Sequence, residues 1–489
     1  MPSCAKIVKI LYFCPMKRII CFLTLFFLTI VGMAREYKAV PGMGTDALQA
    51  MIDEASHRGG GRVTFSPGRY LIGPLELKSG VELHLEEGAC LLGSTSPYDY
   101  VPVDAIQVAG DLLKDNSHRG LIVAKNAKGI SITGEGVIDG QGQTLALTID
   151  SLYHTGELTD PNYNTRRQRP SELARPTLLN IVGCEDVHIE GVHLRNSAGW
   201  GLSFTRCSGV VLRHLDILNR AYWNNDGIDL TDCRDVTVTG CRVNSADDGI
   251  CLKSYDPGSG NEDISISDCE IRSSASAVKF GSASYGAFRR ITIRNIRVFD
   301  TFRSALAIES VDGATIEDVV ADSITAVNTG NALFIRLGQR HGERKGIVRR
   351  IRISNLVAQV PFGRPDIDYD LRGPEVDYFH NIHPAPICGI PGNSIEDVLL
   401  ENVSIVYPGR ATKGMAYMPL WRKGDVPEQI DKYPEFTMFG ELPSWGFYLR
   451  HLRNITLRNV VLSLESDDFR PAIVEEDVEG LMMENCQTE

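Results

Sequence analysis

Between residues 184 and 300 the chain repeats one short pattern of apolar and polar positions. It reads "CEDVHIEGVHL" from Cys184, "CSGVVLRHLDI" from Cys207, "CRDVTVTGCRV" from Cys233, "NEDISISDCEI" from Asn261 and "FRRITIRNIRV" from Phe288. Each copy is a turn residue, a two-residue spacer and then strict in/out alternation, the period-2 signature of a half-buried strand. The first inward position recurs at Val187, Val210, Val236, Ile264 and Ile291, in steps of 23, 26, 28 and 27 residues. Weaker copies begin at Ala127, Gly313, Val348, Ile395, Leu452 and Val478. A period of this length, with several short strands per unit and no helical spacing, predicts an all-β, single-domain right-handed parallel β-helix of about ten coils. One amphipathic segment stands apart: "TDALQAMIDEASHRGGG", residues 45 to 61, predicts a helix starting at Thr45 or Asp46 that caps the open end of the solenoid.

Three segments break the period, residues 141–176, 360–393 and 408–450, and are read as long loop insertions on the rigid scaffold. The first holds Arg166, Arg167, Arg169 and Arg175. A charge run is usually a solvated face, yet here it interrupts an acidic chain of net charge −12. That overall charge argues against nucleic acid as a partner and means that an acidic substrate needs such a local basic patch.

At the N-terminus, Lys17 and Arg18 precede the apolar run "IICFLTLFFLTIVGMA", the pattern of a secretory signal peptide over residues 1–34, with Met16 an alternative start. The expected mature chain, residues 35–489, is therefore secreted or periplasmic, with no membrane span after cleavage. Setting aside Cys4, Cys14 and Cys21 leaves nine of the twelve cysteines. Cys184, Cys207 and Cys233 share one repeat position and Cys241 and Cys269 another, which predicts a buried column of thiols in place of bridges.

Candidate chemistry concentrates between residues 221 and 254, "AYWNNDGIDLTDCRDVTVTGCRVNSADDGICLKS". Asp226 and Asp247 are 21 residues apart, close to one coil, so they are expected at nearly the same angular position on adjacent coils, with Asp248 beside them. Asp229, Asp232 and Asp235 are read as turn formers. Three carboxylates brought together repel one another, and that arrangement suits chemistry needing one carboxyl protonated and another ionised, as glycoside hydrolysis does. A calcium site is the rival explanation, but it requires six to eight oxygen ligands, so no metal and no cofactor is expected.

"NNDGIDL" followed by "SADDGICLKS", on a β-helix entered through "GGGRVTFSPGRYLIGPLELKSGVELHLEEGACLLG", resembles glycoside hydrolase family 28, the polygalacturonase family, over about residues 40–489. The resemblance implies catalytic roles for Asp247 as general acid and for Asp226 and Asp248 as the groups that position and deprotonate water, with inversion at the anomeric carbon. It also implies that Asn224 contacts the sugar. Two family motifs depart here. Ser276 stands where a Gly-His-Gly histidine is expected, and Ala307 and Glu309 occupy the basic positions of an Arg-Ile-Lys segment. Substrate-binding candidates are therefore Asn224, Ser276 and the nearby cations Lys279 and Arg336, with Arg303 a further cation, and Trp445 or Tyr448 offering a sugar-stacking face. The expected partner is a pectic polysaccharide or oligosaccharide containing galacturonic acid, attacked from a chain end by a monomer. A β-eliminating lyase and a non-catalytic carbohydrate-binding β-helix are the alternatives.

Overall fold

The computed structural model describes residues 35–101, 117–366, 383–416 and 425–489. The leader read over residues 1–34 lies outside the described residues, as do parts of the second and third insertions. The inward positions read from the sequence form one continuous parallel ladder: Ile130, Val187, Val210, Val236, Ile264, Ile291, Val319, Ile351, Val398, Ile455 and Leu481 each pair with the next. Among the described residues every strand pairing is parallel and joins like positions on successive coils, which makes the protein a parallel β-helix around one apolar core.

The turn chemistry follows from the same repeat. The residue before each inward position adopts a left-handed conformation, as at Asp186, Asp235, Asp263, Asp318 and Asp397, with φ between 54° and 59°. Asp and Asn tolerate that region better than other side chains, so the acidic turn residues are placed by backbone geometry. The cysteines behave as read: all nine described are free thiols, seven of them buried.

Helix α1 (Thr45–His57) turns Leu48, Ile52 and Ala55 into the core against the first strands. A second helix, α2 (Gly142–His154), occupies the first insertion in place of the loop expected there. Its Leu145, Ala146 and Ile149 lie on one helical face and join the core, a spacing that was available in the sequence.

The strands that matter for the site stack as β1 (Thr177–Val182), β2 (Leu202–Thr205), β3 (Ile228–Thr231), β4 (Ile250–Ser254), β5 (Val278–Ser284) and the end of β6 (Ala287–Ser310). Their outward residues would face water in a bare solenoid. Here Asp229, Cys251, Lys253, Lys279 and Glu309 are all buried, so this face is covered. Part of the cover is the third insertion, whose Val426, Phe436, Phe439 and Leu442 pack on outward Ala307, Phe334, Cys388 and Tyr448.

Candidate active site

On β3 and β4, Ile228 lies opposite Ile250, and the Gly227 N–H donates to the Asp248 carbonyl at 2.9 Å. The coil is therefore 22 residues long at this point. Asp226 stacks on Asp248, while Asp247 sits level with Asn225, whose carbonyl accepts the Asp247 N–H at 3.3 Å. This corrects the expected register of Asp226 with Asp247 by one residue. Glycines hold the coils this close. A Cβ on Gly227 would lie 2.5 Å from the Gly249 carbonyl, and one on Gly249 would lie 2.6 Å from the Ala277 carbonyl. The glycine after each Asp thus lets the carboxylate-bearing turns stack at ladder spacing.

Asp229 is not a turn residue. It lies on β3, is fully buried, and shares Lys253 with Asp226: the ammonium donates to Asp226 Oδ2 at 2.9 Å and to Asp229 Oδ1 at 2.5 Å. Lys253 also sits 4.1 Å from the Trp200 ring centroid. Burial pushes Asp229 up to about 6 against the pull of Lys253. Burial and the Asp229 charge carry Asp226 well above the carboxylate range despite the same lysine. The strand alternation was the missed signal, since Asp229 and Lys253 both fall at outward positions between inward Ile228, Leu230 and Leu252. Asp232 and Asp235 do occupy left-handed turns, with Asp232 accepting from Ser254 Oγ and the Tyr255 N–H.

Asp247 and Asp248 have opposite environments. Asp248 Oδ1 accepts the Ser276 N–H at 3.1 Å and its Oδ2 accepts from Lys279 Nζ at 3.1 Å. Burial works to raise its pKa, but Lys279, Lys253, Arg303 and that N–H together outweigh burial and hold it below the ordinary range. For Asp247, burial and then the Asp226 and Asp248 charges dominate, and the carboxyl is pushed up to about 8 although Arg303 and Lys279 oppose them. A carboxyl that keeps its proton near neutrality beside one that has lost it is the pairing that general acid–base chemistry uses.

The remaining candidates separate. Lys279 faces the cleft as expected, but its ammonium is taken up by Asp248 and by Tyr433 Oη at 3.2 Å. Ser276 serves Asp248 through its main chain. Asn224 is half-buried at the rim, its Oδ1 accepting from Arg175 at 2.8 Å. Arg303 pairs with Glu435 at 2.7 Å. Arg336 is only 1% exposed and donates to the carbonyls of Gly389, Glu428 and Gln429, the last two of which tie it to the third insertion, while its Nε is buried with no hydrogen-bond partner. Trp445 and Tyr448 are likewise buried in packing and offer no stacking face. Tyr433 and Glu435 were not singled out from the sequence, because only the fold brings the third insertion over β5.

The family profile described as glycosyl hydrolases family 28 matches residues 100–317, a span that includes Asp226, Asp229, Asp247 and Asp248. The chain is 24% identical over 371 residues to a probable polygalacturonase of Vitis vinifera, an alignment covering 74% of this chain and 66% of that relative, just under two thirds of its length. Exo- and endo-acting polygalacturonases both occur among the relatives. Two solved exopolygalacturonases share the fold. The enzyme from Thermotoga maritima superposes with a TM-score of 0.60 at 22% identity, covering 76% of this chain and 87% of its own. That from Yersinia enterocolitica gives 0.66 at 17%, covering 92% and 78%. A parallel β-helix is thus the construction this chain shares with these solved structures at the level of the fold, and here it carries stacked aspartates on one covered face. The match to glycosyl hydrolases family 28 covers residues 100–317, the part of the chain that holds the stacked aspartates.

Proposed function

We propose that the protein is an exported glycoside hydrolase that cleaves α-glycosidic bonds in galacturonic-acid-containing pectic polysaccharide or oligosaccharide, by inversion and from a chain end. The observation that carries this reading is the contrast between Asp247 and Asp248. Asp247, holding its proton, donates it to the departing glycosidic oxygen. Asp248, kept ionised by Lys279, takes the proton of a water that Asp226 helps to orient as the water oxygen attacks the anomeric carbon from the opposite face. Lys253 holds the Asp226–Asp229 pair in place so that the water meets a fixed acceptor. The packing of the third insertion across the outward face of the C-terminal coils favours a closed pocket over an open groove, and hence attack at a chain end. Export rests on the leader read over residues 1–34.

The test is to incubate the enzyme with defined homogalacturonan and rhamnogalacturonan fragments and follow the released sugar by proton NMR. Inverted anomeric configuration in the first product, shortening from one end and loss of both in Asp247→Asn are expected. Unsaturated, ultraviolet-absorbing ends that vanish with a chelator would replace the hydrolase with a lyase.

A further inference from the structure

The cations nearest the proposed catalytic carboxylates belong to that site. Lys253, Lys279 and Arg303 are held by its acids, and Arg169 lies over Trp223 at 5.2 Å from the ring centroid. A second polar groove lies elsewhere. Asp226 and Asp248 precede β3 and β4, whereas this groove follows the strands, where the chain turns out of β1 at Gly183, β2 at Arg206, β3 at Asp232, β4 at Pro257 and β5 at Gly286. From Asp226 to Asp232 is about 20 Å of extended chain. The groove encloses about 470 Å³ and reaches Thr315 beyond β6. It therefore crosses six coils, about 24 Å along the solenoid.

Three arginines line this groove with donors to spare. Arg234 is exposed and makes no hydrogen bond or ion pair among the described residues. Its neighbour on the next coil is Glu262, whose two oxygens are taken instead by Arg289 at 3.1 Å and Arg290 at 2.9 Å. Arg206 gives Nη2 to Asp256 at 2.7 Å, and Arg344 gives Nη1 to the Tyr285 carbonyl at 2.7 Å, which leaves the other amino group of each fork open. The remaining acids of the lining are satisfied from outside it, Glu185 by Lys128 and Asp232 by Ser254 Oγ and the Tyr255 N–H. In a chain of net charge −12, such a groove favours an anion. The hydroxyls of Ser208, Ser259 and Thr315 also line it, without a side-chain hydrogen bond among the described residues, and no lining residue is aromatic. A ligand is then held by charge and hydrogen bonds and not by stacking. Arg344 is anchored at the turn of Tyr285, two coils beyond Arg234, so the charges it and Arg234 accept lie about 10 Å apart. A polyuronate repeats carboxylates along its length, whereas a single small anion reaches one arginine.

We infer that this groove is a second carbohydrate site: it holds a stretch of acidic oligosaccharide, with sugar carboxylates on Arg234, Arg206 and Arg344, and so keeps a pectic chain on the protein away from the cutting site. The identity of the sugar rests on the hydrolase reading, and the test measures binding without turnover. Calorimetric titration of the full chain carrying Asp247→Asn uses a homogalacturonan fragment long enough to span the groove, and its carboxyl-reduced counterpart. Two equivalents of the acidic fragment are expected per chain, one in the cleft and one in the groove. Adding Arg234→Ala should weaken one equivalent about 10-fold and Arg234→Glu about 100-fold, with the other unchanged. Because Arg234 is exposed and unpaired, both variants should melt within about 1 °C of the parent. The carboxyl-reduced fragment should bind the groove at least about 10-fold more weakly than the acidic one. Unchanged binding in Arg234→Glu, or equal filling of the groove by the carboxyl-reduced fragment, overturns the inference. A parent that binds a single equivalent, lost in Arg234→Glu, would keep the groove and remove the cleft as a uronate site.

Discussion

Asp247 titrates about 8 when folded and near 3.8 when unfolded, and this gap links activity to stability. Between those values the folded protein binds the extra proton, so the Asp247 contribution favours folding at low pH and is lost as pH rises through about 8. In the proposed mechanism the same proton is the one delivered to the leaving group, so turnover is expected to fall as pH passes about 8, as a kcat–pH profile will show. Asp247→Asn removes both effects. It should lower kcat by about 10² to 10⁴ while raising stability at pH 8 on the order of 1–3 kcal/mol, read by steady-state rates and thermal melting. Lys253 predicts the reverse pattern. Lys253→Met leaves Asp226 and Asp229 buried without their counter-charge and should destabilise the fold by about 3–5 kcal/mol in urea titration.

At the scale of the coil, register decides which side chains meet. Gly227→Ala would drive a Cβ into the Gly249 carbonyl and Val243 Cγ1, prising apart the turns that carry Asp226 and Asp248. Activity should fall at least about 10-fold, because displacements near 1 Å at a reacting centre cost on that order or more. Ile264→Ala, in the inward ladder far from the chemistry, should instead cost about 2–5 kcal/mol of stability and leave the rate constants of the folded enzyme unchanged. The inward ladder was legible in the sequence from Val187 to Ile291 because alternation and period both repeat there. The exact stacking partner of Asp226 was not, since a 21-residue separation and a 22-residue coil differ by less than the spread in step length. Asp229 misled because an aspartate two residues after Gly227 reads as part of a turn, and only burial of the outward face turns it into half of an ion cluster. The burial of Arg336 was not legible for the complementary reason: the insertion that covers it lies about 90 residues away in sequence.

Across the molecule, cohesion comes from repetition. Along one exterior face, acidic and basic residues alternate between coils, Glu262 with Arg289, Arg289 with Glu317, and Glu317 with Arg349, so that each charge is shared and the network can contribute more than isolated surface pairs do. The nine described cysteines contribute as packed thiols, and reducing agent should therefore leave the melting temperature unchanged within about 1 °C, a direct check on the core reading. The proposed catalytic aspartates hang from the hydrogen-bonded ladder, while Arg169, Tyr433 and Glu435 arrive on inserted segments that differ in length and composition from the repeat. Under the proposed function, cutting and choosing are thus carried by separable parts of the chain, so that changes confined to the insertions can retune which sugar is held with no need to reinvent the blade.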